Sequence, residues 1–279
     1  MPSFPFTILD VFTVRPLEGN QLAVFADGAA VPDELVQALA KEIGFSETVY
    51  VFSATDVDDA DARLRIFTPE TELPFAGHPV LGTAIALAGE RGLSTVRLET
   101  GAGIVPVSQV EGRWWMHQPI PTWAPFDDAA ALLAALGPAR SELPVEVYDN
   151  GGVRHAYVVA ESEGLVAGLT PDLRQLASIA GRMGASCVAG SGDTWKTRMF
   201  APGAGVAEDP ATGSAAGPLA VHLARHGLIG WGEEITISQG VEIGRPSTLY
   251  AFARGSDNGV ESVEVGGQAV IVGRGEFTL

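Results

Sequence analysis

The residues best suited to chemistry lie at two points where a strand is followed by a helix. The first is RIFTPETELPFAGHPVLGTA, residues 65–84, in which His78 follows a glycine. The second is RMFAPGAGVAEDPATGSAAGPLA, residues 198–220, in which Asp209 precedes a proline and Ser214 follows a glycine. An imidazole, a carboxylate and a hydroxyl can transfer protons or hold a polar ligand. Each one alone also fits a structural role in a turn or a helix cap.

Both segments place a glycine at the start of a helix. The first turn of a helix offers unpaired N–H groups and the positive end of its dipole, which bind carboxylates and phosphates. Gly77 and Gly213 let the backbone approach a ligand closely, and Pro79 suits a first helical turn because its missing N–H costs nothing there. We therefore predict two anion-binding helix starts.

A third segment with reactive side chains is GFSETVYVF, residues 44–52, where Ser46 and Glu47 precede an apolar strand. A carboxylate in such surroundings can have a raised pKa and act as both acid and base. The alternative is a solvated glutamate in a simple helix-to-strand connection. The segment thus supplies a candidate acid/base residue.

The elements that position these residues occur twice. RIFTP at 65–69 matches RMFAP at 198–202 with an offset of 133, Gly77 matches Gly213 with an offset of 136, and Gly101 matches Gly240 with an offset of 139. Anchors in the same order with slowly rising offsets indicate internal duplication. Two domains of ordinary size follow, and if a pseudo-twofold relates them, the helix starts can face each other across a cleft, a favoured place for ligands.

Hydrophobic periodicity predicts the individual elements. We expect strands at 6–13 and 22–26, a helix at 32–44, and small-residue helices at 79–92 and 214–227. PIPTWAPF, residues 119–126, contains three prolines and is the best candidate for a linker between the two copies.

The composition excludes several classes of partner. The formal net charge is −17, from 17 basic and 34 acidic residues, which argues against nucleic acid and against an anionic membrane surface. There is one cysteine, Cys187, so no internal disulfide forms, and a cytoplasmic location is the simplest interpretation. We see no signal peptide and no apolar run of the ~20 residues that a membrane span needs.

Five motifs together resemble a known family: DVFT…GNQLAVF, FSETVYVF, TPETELPFAGHPVLGTA, EDPATGSAAG and QGVEIGRPS. They are similar to those of the PhzF-like isomerases of phenazine biosynthesis, in the same order and over nearly the whole chain. The resemblance implies the α+β diaminopimelate-epimerase-like fold, with two similar lobes that each wrap a β-barrel-like sheet around a central helix. We expect an N-terminal lobe at 1–120, to which a C-terminal strand at 267–279 can return, and a C-terminal lobe at 121–266, with the active site in the cleft.

The resemblance also implies roles for residues. Glu47 matches the proton-shuttling carboxylate, and His78 and Asp209 match further acid/base and orienting residues. Substrate-holding positions correspond to Ser46, Gly77, Gly213 and Ser214. The implied reaction is a cofactor-independent isomerisation of a small carboxylate, dihydro-3-hydroxyanthranilate in the phenazine enzyme, in which a proton leaves one ring carbon and returns at another. A homodimer without metal is expected.

Three alternatives remain open or are set aside. An epimerase of the same fold would use two cysteines at the helix starts, which this chain lacks, so only an epimerase-type enzyme without the cysteine pair stays possible. A metal site could use His222 and His226, but we expect no acidic residue to complete the set. A non-catalytic protein that binds small carboxylates is the non-enzyme alternative.

Overall fold

The computed structural model describes residues 1–137, 140–256 and 258–279, which divide into two compact units. The first unit comprises Met1–His117 with Gly266–Leu279, and the second comprises Gln118–Val265. Both units mix helices and strands, and the predicted α+β class is confirmed.

The first unit is built from the following elements. Its helices are α1 (Asp33–Ile43) and α2 (Gly77–Arg91), and its strands are β1 (Ser3–Val11), β2 (Asn20–Phe25), β3 (Glu47–Phe52), β4 (Ala62–Phe67), β5 (Glu72–Leu73), β6 (Thr95–Thr100), β7 (Gly103–Val110), β8 (Arg113–Gln118) and β18 (Ala269–Thr278). The last of these, β18, pairs antiparallel with β1, from Ser3 opposite Thr278 to Val11 opposite Ala269.

The second unit also consists of helices and strands. Its helices are α3 (Ala129–Leu136), α4 (Glu163–Ala167), α5 (Leu173–Ala180) and α6 (Gly213–Arg225), and its strands are β9 (Thr122–Pro125), β10 (Glu146–Asn150), β11 (Val153–Val159), β12 (Gly184–Ser191), β13 (Thr194–Ala201), β14 (Val206–Asp209), β15 (Ile235–Gln239), β16 (Ser247–Ser256) and β17 (Gly259–Gly267).

Strand pairing follows the same order in both units. In the first, β1–β2 is antiparallel, β2–β3 parallel, β3–β4 and β4–β5 antiparallel, β4–β6 parallel and β6–β7 antiparallel. In the second, β10–β11 is antiparallel, β11–β12 parallel, β12–β13 and β13–β14 antiparallel, β13–β15 parallel and β15–β16 antiparallel. Because a repeated sequence order is matched by a repeated pairing order, the two lobes are similar, as the sequence repeat predicted.

Each unit has a buried central helix made of small residues, α2 in the first and α6 in the second. A Cβ added at Gly82 of α2 would lie 2.7 Å from methyl groups of both Leu22 and Val11. A Cβ added at Gly217 of α6 would lie 2.4 Å from the side-chain oxygen of Gln118. Since real contacts do not come so close, the glycines allow neighbouring strands to pack directly on the helices.

The structure adds two elements that the sequence did not predict in the segment after the first unit. The expected linker at 119–126 contains strand β9, whose residues pair with Glu146–Asp149 of β10. Its prolines stand outside the paired run or at its last residue, Pro125, where a missing N–H does little harm. The sequence reading also missed helix α3, Ala129–Leu136, which is so rich in alanine and leucine that it shows little amphipathic pattern.

Among the described residues, none of the helices combines the length and the apolar character needed to cross a membrane.

Candidate active site

Glu47 and His78 meet in the first unit. Glu47 is the first residue of β3, and His78 is the second residue of α2. The parallel pairing of β3 with β2 fixes the backbone at Glu47, and the helix fixes the backbone at His78. The Oε2 atom of Glu47 lies 3.5 Å from Nε2 of His78, and their side chains are 14% and 4% exposed. A carboxylate and an imidazole in mostly dry surroundings are a suitable pair for proton transfer.

The imidazole of His78 is neutral at pH 7. Burial lowers the pKa of His78 to about 3, although a backbone hydrogen bond at Gln21 acts in the opposite direction. The contact with Glu47 is therefore not a salt bridge at neutral pH, because His78 carries no charge to compensate the carboxylate. A neutral imidazole next to an acid/base carboxylate can donate or accept a hydrogen bond while charge moves on a ligand.

Asn20 connects His78 to Ser46. The amide nitrogen of Asn20 lies 3.2 Å from Nδ1 of His78, and the Ser46 hydroxyl donates to the amide oxygen at 3.0 Å. Asn20 is buried at the first position of β2. Three candidate side chains of the first unit, Ser46, Glu47 and His78, are thus grouped around the start of α2.

In the second unit the start of α6 carries Gly213 and Ser214. The Ser214 hydroxyl lies 3.0 Å from Nε2 of His155, a buried residue on β11. Burial lowers the pKa of His155 to about 4, so this imidazole is also neutral at pH 7. The backbone oxygens of Gly213 and Ser214 accept hydrogen bonds from the side chains of Gln118 at 2.8 Å and Asn150 at 3.0 Å, and both donors belong to the second unit.

Asp209 is buried at the end of β14, four residues before the first residue of α6. The Thr212 hydroxyl donates to its Oδ2 at 2.6 Å, and the side-chain amide of Gln239 donates to its backbone oxygen at 2.7 Å. Gln239 also accepts from the Thr212 backbone N–H at 3.1 Å. The EDPATG segment is therefore fixed by hydrogen bonds at both its acid and its helix cap.

The predicted site residues fall into two sets, one in each unit. The first set is Ser46, Glu47, Gly77 and His78, and the second is Asp209, Gly213 and Ser214. The sequence reading did not single out the polar partners of these residues, among them Asn20, His155 and Gln239. Asn20 and Gln239 stand in the motifs GNQLAVF and QGVEIGRPS, which offered a signal, whereas His155 had none.

The expectation that no acid would join His222 and His226 was wrong, because β10 brings Glu146 to them. Its Oε2 lies 3.2 Å from Nδ1 of His222 and 3.1 Å from Nε2 of His226, so the three could ligate a metal ion. The same oxygen also accepts from Arg225 at 2.7 Å and from Tyr148 at 3.1 Å. Arg225 thus supplies the positive charge that a metal would bring, and the set fits a hydrogen-bonded buried carboxylate better.

The pKa of Glu146 also fits a hydrogen-bonded buried carboxylate. Burial acts to raise the pKa of Glu146, but hydrogen bonds from Arg225 and His226 outweigh it and lower the pKa to about 2. The carboxylate therefore stays ionised with Arg225 as its counter-ion.

Cys187 lies outside this cluster and is buried on β12. Burial raises the pKa of its thiol to about 12, which leaves the thiol unreactive at neutral pH.

The two-unit α+β fold is similar to that of known epimerases and PhzF-family proteins. The model of the PhzC-PhzF family, described as phenazine biosynthesis-like protein, matches residues 9–275. The chain belongs to this family, as the sequence motifs predicted. Its relatives include the trans-2,3-dihydro-3-hydroxyanthranilate isomerases of Pseudomonas aeruginosa and Pseudomonas fluorescens, 48% and 46% identical, with 98% of this chain and 99% of each relative covered. The predicted enzyme class, isomerase, is confirmed.

Three solved structures are similar to this chain over nearly its whole length. A predicted epimerase from Pseudomonas aeruginosa is 30% identical, with a TM-score of 0.81 and 99% of both chains covered. A PhzF-family protein of Bacillus anthracis reaches a TM-score of 0.86 over 100% of both chains at 24% identity. A hydroxyproline epimerase from Agrobacterium vitis has a TM-score of 0.69 at 15% identity, covering 98% of this chain and 92% of its own. The last two show that the fold is shared.

Proposed function

We propose that this chain is a cofactor-independent isomerase that moves a proton between two carbons of a small carboxylate, trans-2,3-dihydro-3-hydroxyanthranilate or a close analogue. The observation that carries the proposal is the placement of the Glu47 carboxylate 3.5 Å from the neutral, buried imidazole of His78 at the start of α2. The substrate is the one named for relatives 46–48% identical over nearly the whole chain.

The proton transfer needs one base that also serves as the acid. Glu47 takes a proton from one ring carbon, and the electron pair of the broken C–H bond delocalises over the conjugated system. Glu47 then returns the proton to another ring carbon, which leaves the composition unchanged. When the deprotonated carbon is the one that carries the hydroxyl group, the resulting enol tautomerises to a ketone and the amino group is retained. A mostly buried carboxylate that faces a neutral imidazole suits both steps, because little water is available to exchange the proton.

Substrate binding is assigned to the helix starts. We assign the carboxylate of the substrate to the N–H groups that open α2 and α6 at Gly77 and Gly213, with the hydroxyls of Ser46 and Ser214 as further donors. The positive ends of the helix dipoles stabilise the negative charge that develops when the proton leaves. His78 and Asp209 orient the reacting groups.

Two alternative functions have less support than the isomerase. An epimerase without the cysteine pair is compatible with the same fold, but it would return the proton to the same carbon from the opposite side and needs a second base. A binding protein would hold a carboxylate without breaking a C–H bond. Both differ from the proposed isomerase in the fate of a carbon-bound hydrogen.

The test is incubation of the protein with trans-2,3-dihydro-3-hydroxyanthranilate in D₂O, followed by NMR of the ring protons. We expect loss of the diene and delivery of deuterium to a ring carbon. Glu47→Gln removes the base but keeps the size of the side chain, so we expect a native circular-dichroism spectrum and turnover at least 1,000-fold slower, about the contribution of a positioned base. Glu34→Gln, on the exposed face of α1, is the matched control and should react as wild type.

Each contrary result selects another function. Full turnover by Glu47→Gln would contradict the assigned base. Exchange at one carbon with inversion and without migration would identify an epimerase, and tight binding without exchange would identify a binder. The cytoplasmic location and the homodimer remain predictions, and light scattering of the purified protein tests the second.

A further inference from the structure

His155 and Ser214 occupy positions that correspond to the acid/base pair of the first unit. Phe67 of β4 and Phe200 of β13 are matched in the sequence repeat, and they pair with Thr48 of β3 and Ala185 of β12. The residues just before these partners, Glu47 and Gly184, are therefore equivalent. In the same way Gly77 matches Gly213, so the next helix residues, His78 and Ser214, are equivalent.

The position equivalent to Glu47 has no side chain in the second unit, and a histidine from the neighbouring strand fills the space. His155 on β11 lies opposite Gly184 in the parallel pair, just as Leu22 lies opposite Glu47. A Cβ added at Gly184 would lie 2.5 Å from Nδ1 of His155. Gly184 is thus required for the imidazole to sit where it does, with Nε2 3.0 Å from the Ser214 hydroxyl.

The surroundings of the ring favour one tautomer. Within the described part of the chain, Nδ1 of His155 is buried and has no hydrogen-bond partner. An orphaned buried N–H is rarer in proteins than an under-satisfied acceptor, so the proton belongs on Nε2. In that form His155 donates to the oxygen of Ser214, and the hydroxyl proton of Ser214 is left to donate elsewhere.

We infer that His155 is a positioning residue that makes Ser214 a hydrogen-bond donor to the carboxylate of the substrate. The inference deepens the proposed function, since it depends on Ser214 as a substrate-binding residue. Each unit thereby places a hydrogen-bonded pair at the second residue of its central helix. The first pair handles the proton, and the second directs a hydroxyl toward an anion.

The test is a double-mutant cycle on the equilibrium binding of 3-hydroxyanthranilate, an aromatic analogue that carries the same carboxylate and needs no turnover. The variants are His155→Leu, Ser214→Ala and the double variant, measured by isothermal titration calorimetry. We expect each single variant to bind about tenfold more weakly, the loss expected for a hydrogen bond to a charged group, and the double variant no more weakly than Ser214→Ala. The corresponding carboxamide should show no such loss.

Further variants separate positioning from support of the fold. Glutamine can place an amide N–H near the former Nε2, so His155→Gln should regain most of the affinity. Gly184→Ala should lose as much as His155→Leu, because its Cβ displaces the ring. His117→Leu changes an exposed histidine and is the matched control, expected to bind as wild type. Circular dichroism and melting temperature report whether each variant is folded.

Defined outcomes overturn the inference. One is a loss of affinity in the double variant equal to the product of the two single losses. Another is wild-type affinity in His155→Leu, or an equal loss of affinity for the carboxamide. The last is a wild-type protein that does not bind 3-hydroxyanthranilate. A protein that shows the coupled loss but no carbon-bound deuterium exchange would keep this inference and lose the proposed function, so the two failures are distinguishable.

Discussion

The side-chain amide of Asn20 lies with its nitrogen 3.2 Å from Nδ1 of His78 and its oxygen 3.0 Å from the hydroxyl of Ser46. One amide on the first residue of β2 thus orients two side chains that come from different elements, α2 and the turn before β3. Because the amide has a defined donor end and a defined acceptor end, it also determines which of its neighbours donates.

Replacement of Asn20 by leucine tests this arrangement. We expect kcat/KM to fall about 10- to 100-fold, since His78 and Ser46 lose their common partner while Glu47 remains. Steady-state kinetics by loss of the diene absorbance would measure it. Asn258→Ala, an exposed asparagine in the second unit, is the control. Wild-type kinetics in Asn20→Leu would show that the amide has no role in orientation.

Acid should destabilise the protein through its buried histidines. Burial lowers the pKa of His78 to about 3 and of His155 to about 4, whereas the unfolded chain binds these protons near pH 6.5. The unfolded state therefore holds more protons below pH 6.5, and the stability present above that pH is lost as pH falls toward the folded values. Each histidine should cost about 2 kcal/mol at pH 5.

Urea unfolding between pH 5 and 7 would check this. His155→Gln removes one titrating group, so its free energy of unfolding should depend less steeply on pH than that of wild type, by about one proton. Comparison of slopes avoids the problem that the substitution itself changes stability. An unchanged slope would contradict the neutral, buried state of His155.

Gly82 and Gly89 of helix α2 allow the same substitution, glycine to alanine, to be compared at a tightly packed and at an open position. Gly82→Ala would place a Cβ 2.7 Å from methyl groups of Leu22 and Val11, and we expect a loss of about 1–3 kcal/mol in stability. Gly89→Ala meets nothing within 4 Å and should stabilise the protein by about 0.5–1 kcal/mol, because alanine favours the helix. Thermal or urea unfolding measures both. Equal effects would contradict the close contact of α2 with β1 and β2.

The Glu146 cluster should depend on Arg225 and not on a metal ion. Arg225→Met leaves the buried carboxylate without its counter-ion and should cost about 3 kcal/mol of unfolding free energy. Arg154→Met changes an exposed arginine on β11 and should cost less than about 0.5 kcal/mol. EDTA should leave the melting temperature of the wild type unchanged. A large drop with EDTA would show that a metal ion is bound after all.

The sequence predicted those features that depend on local pattern or on the repeat. Apolar spacing indicated α1, and glycine followed by small residues indicated α2 and α6. The strand at Thr122–Pro125 was missed because prolines usually signal a loop, and its pairing with β10 shows otherwise. Glu146 and His155 could not be recognised because their importance depends on partners 59 to 80 positions away.

The pairing of β18 with β1 has a consequence for synthesis on the ribosome. β1 is made first, but its neighbour β18, residues 269–278, emerges only after all of residues 118–265. At translation rates of about 5–20 residues per second, one side of β1 stays open for roughly 13–50 s. An unpaired strand edge is a template for aggregation, so the nascent chain depends on chaperones or on prompt folding of the second unit during this interval.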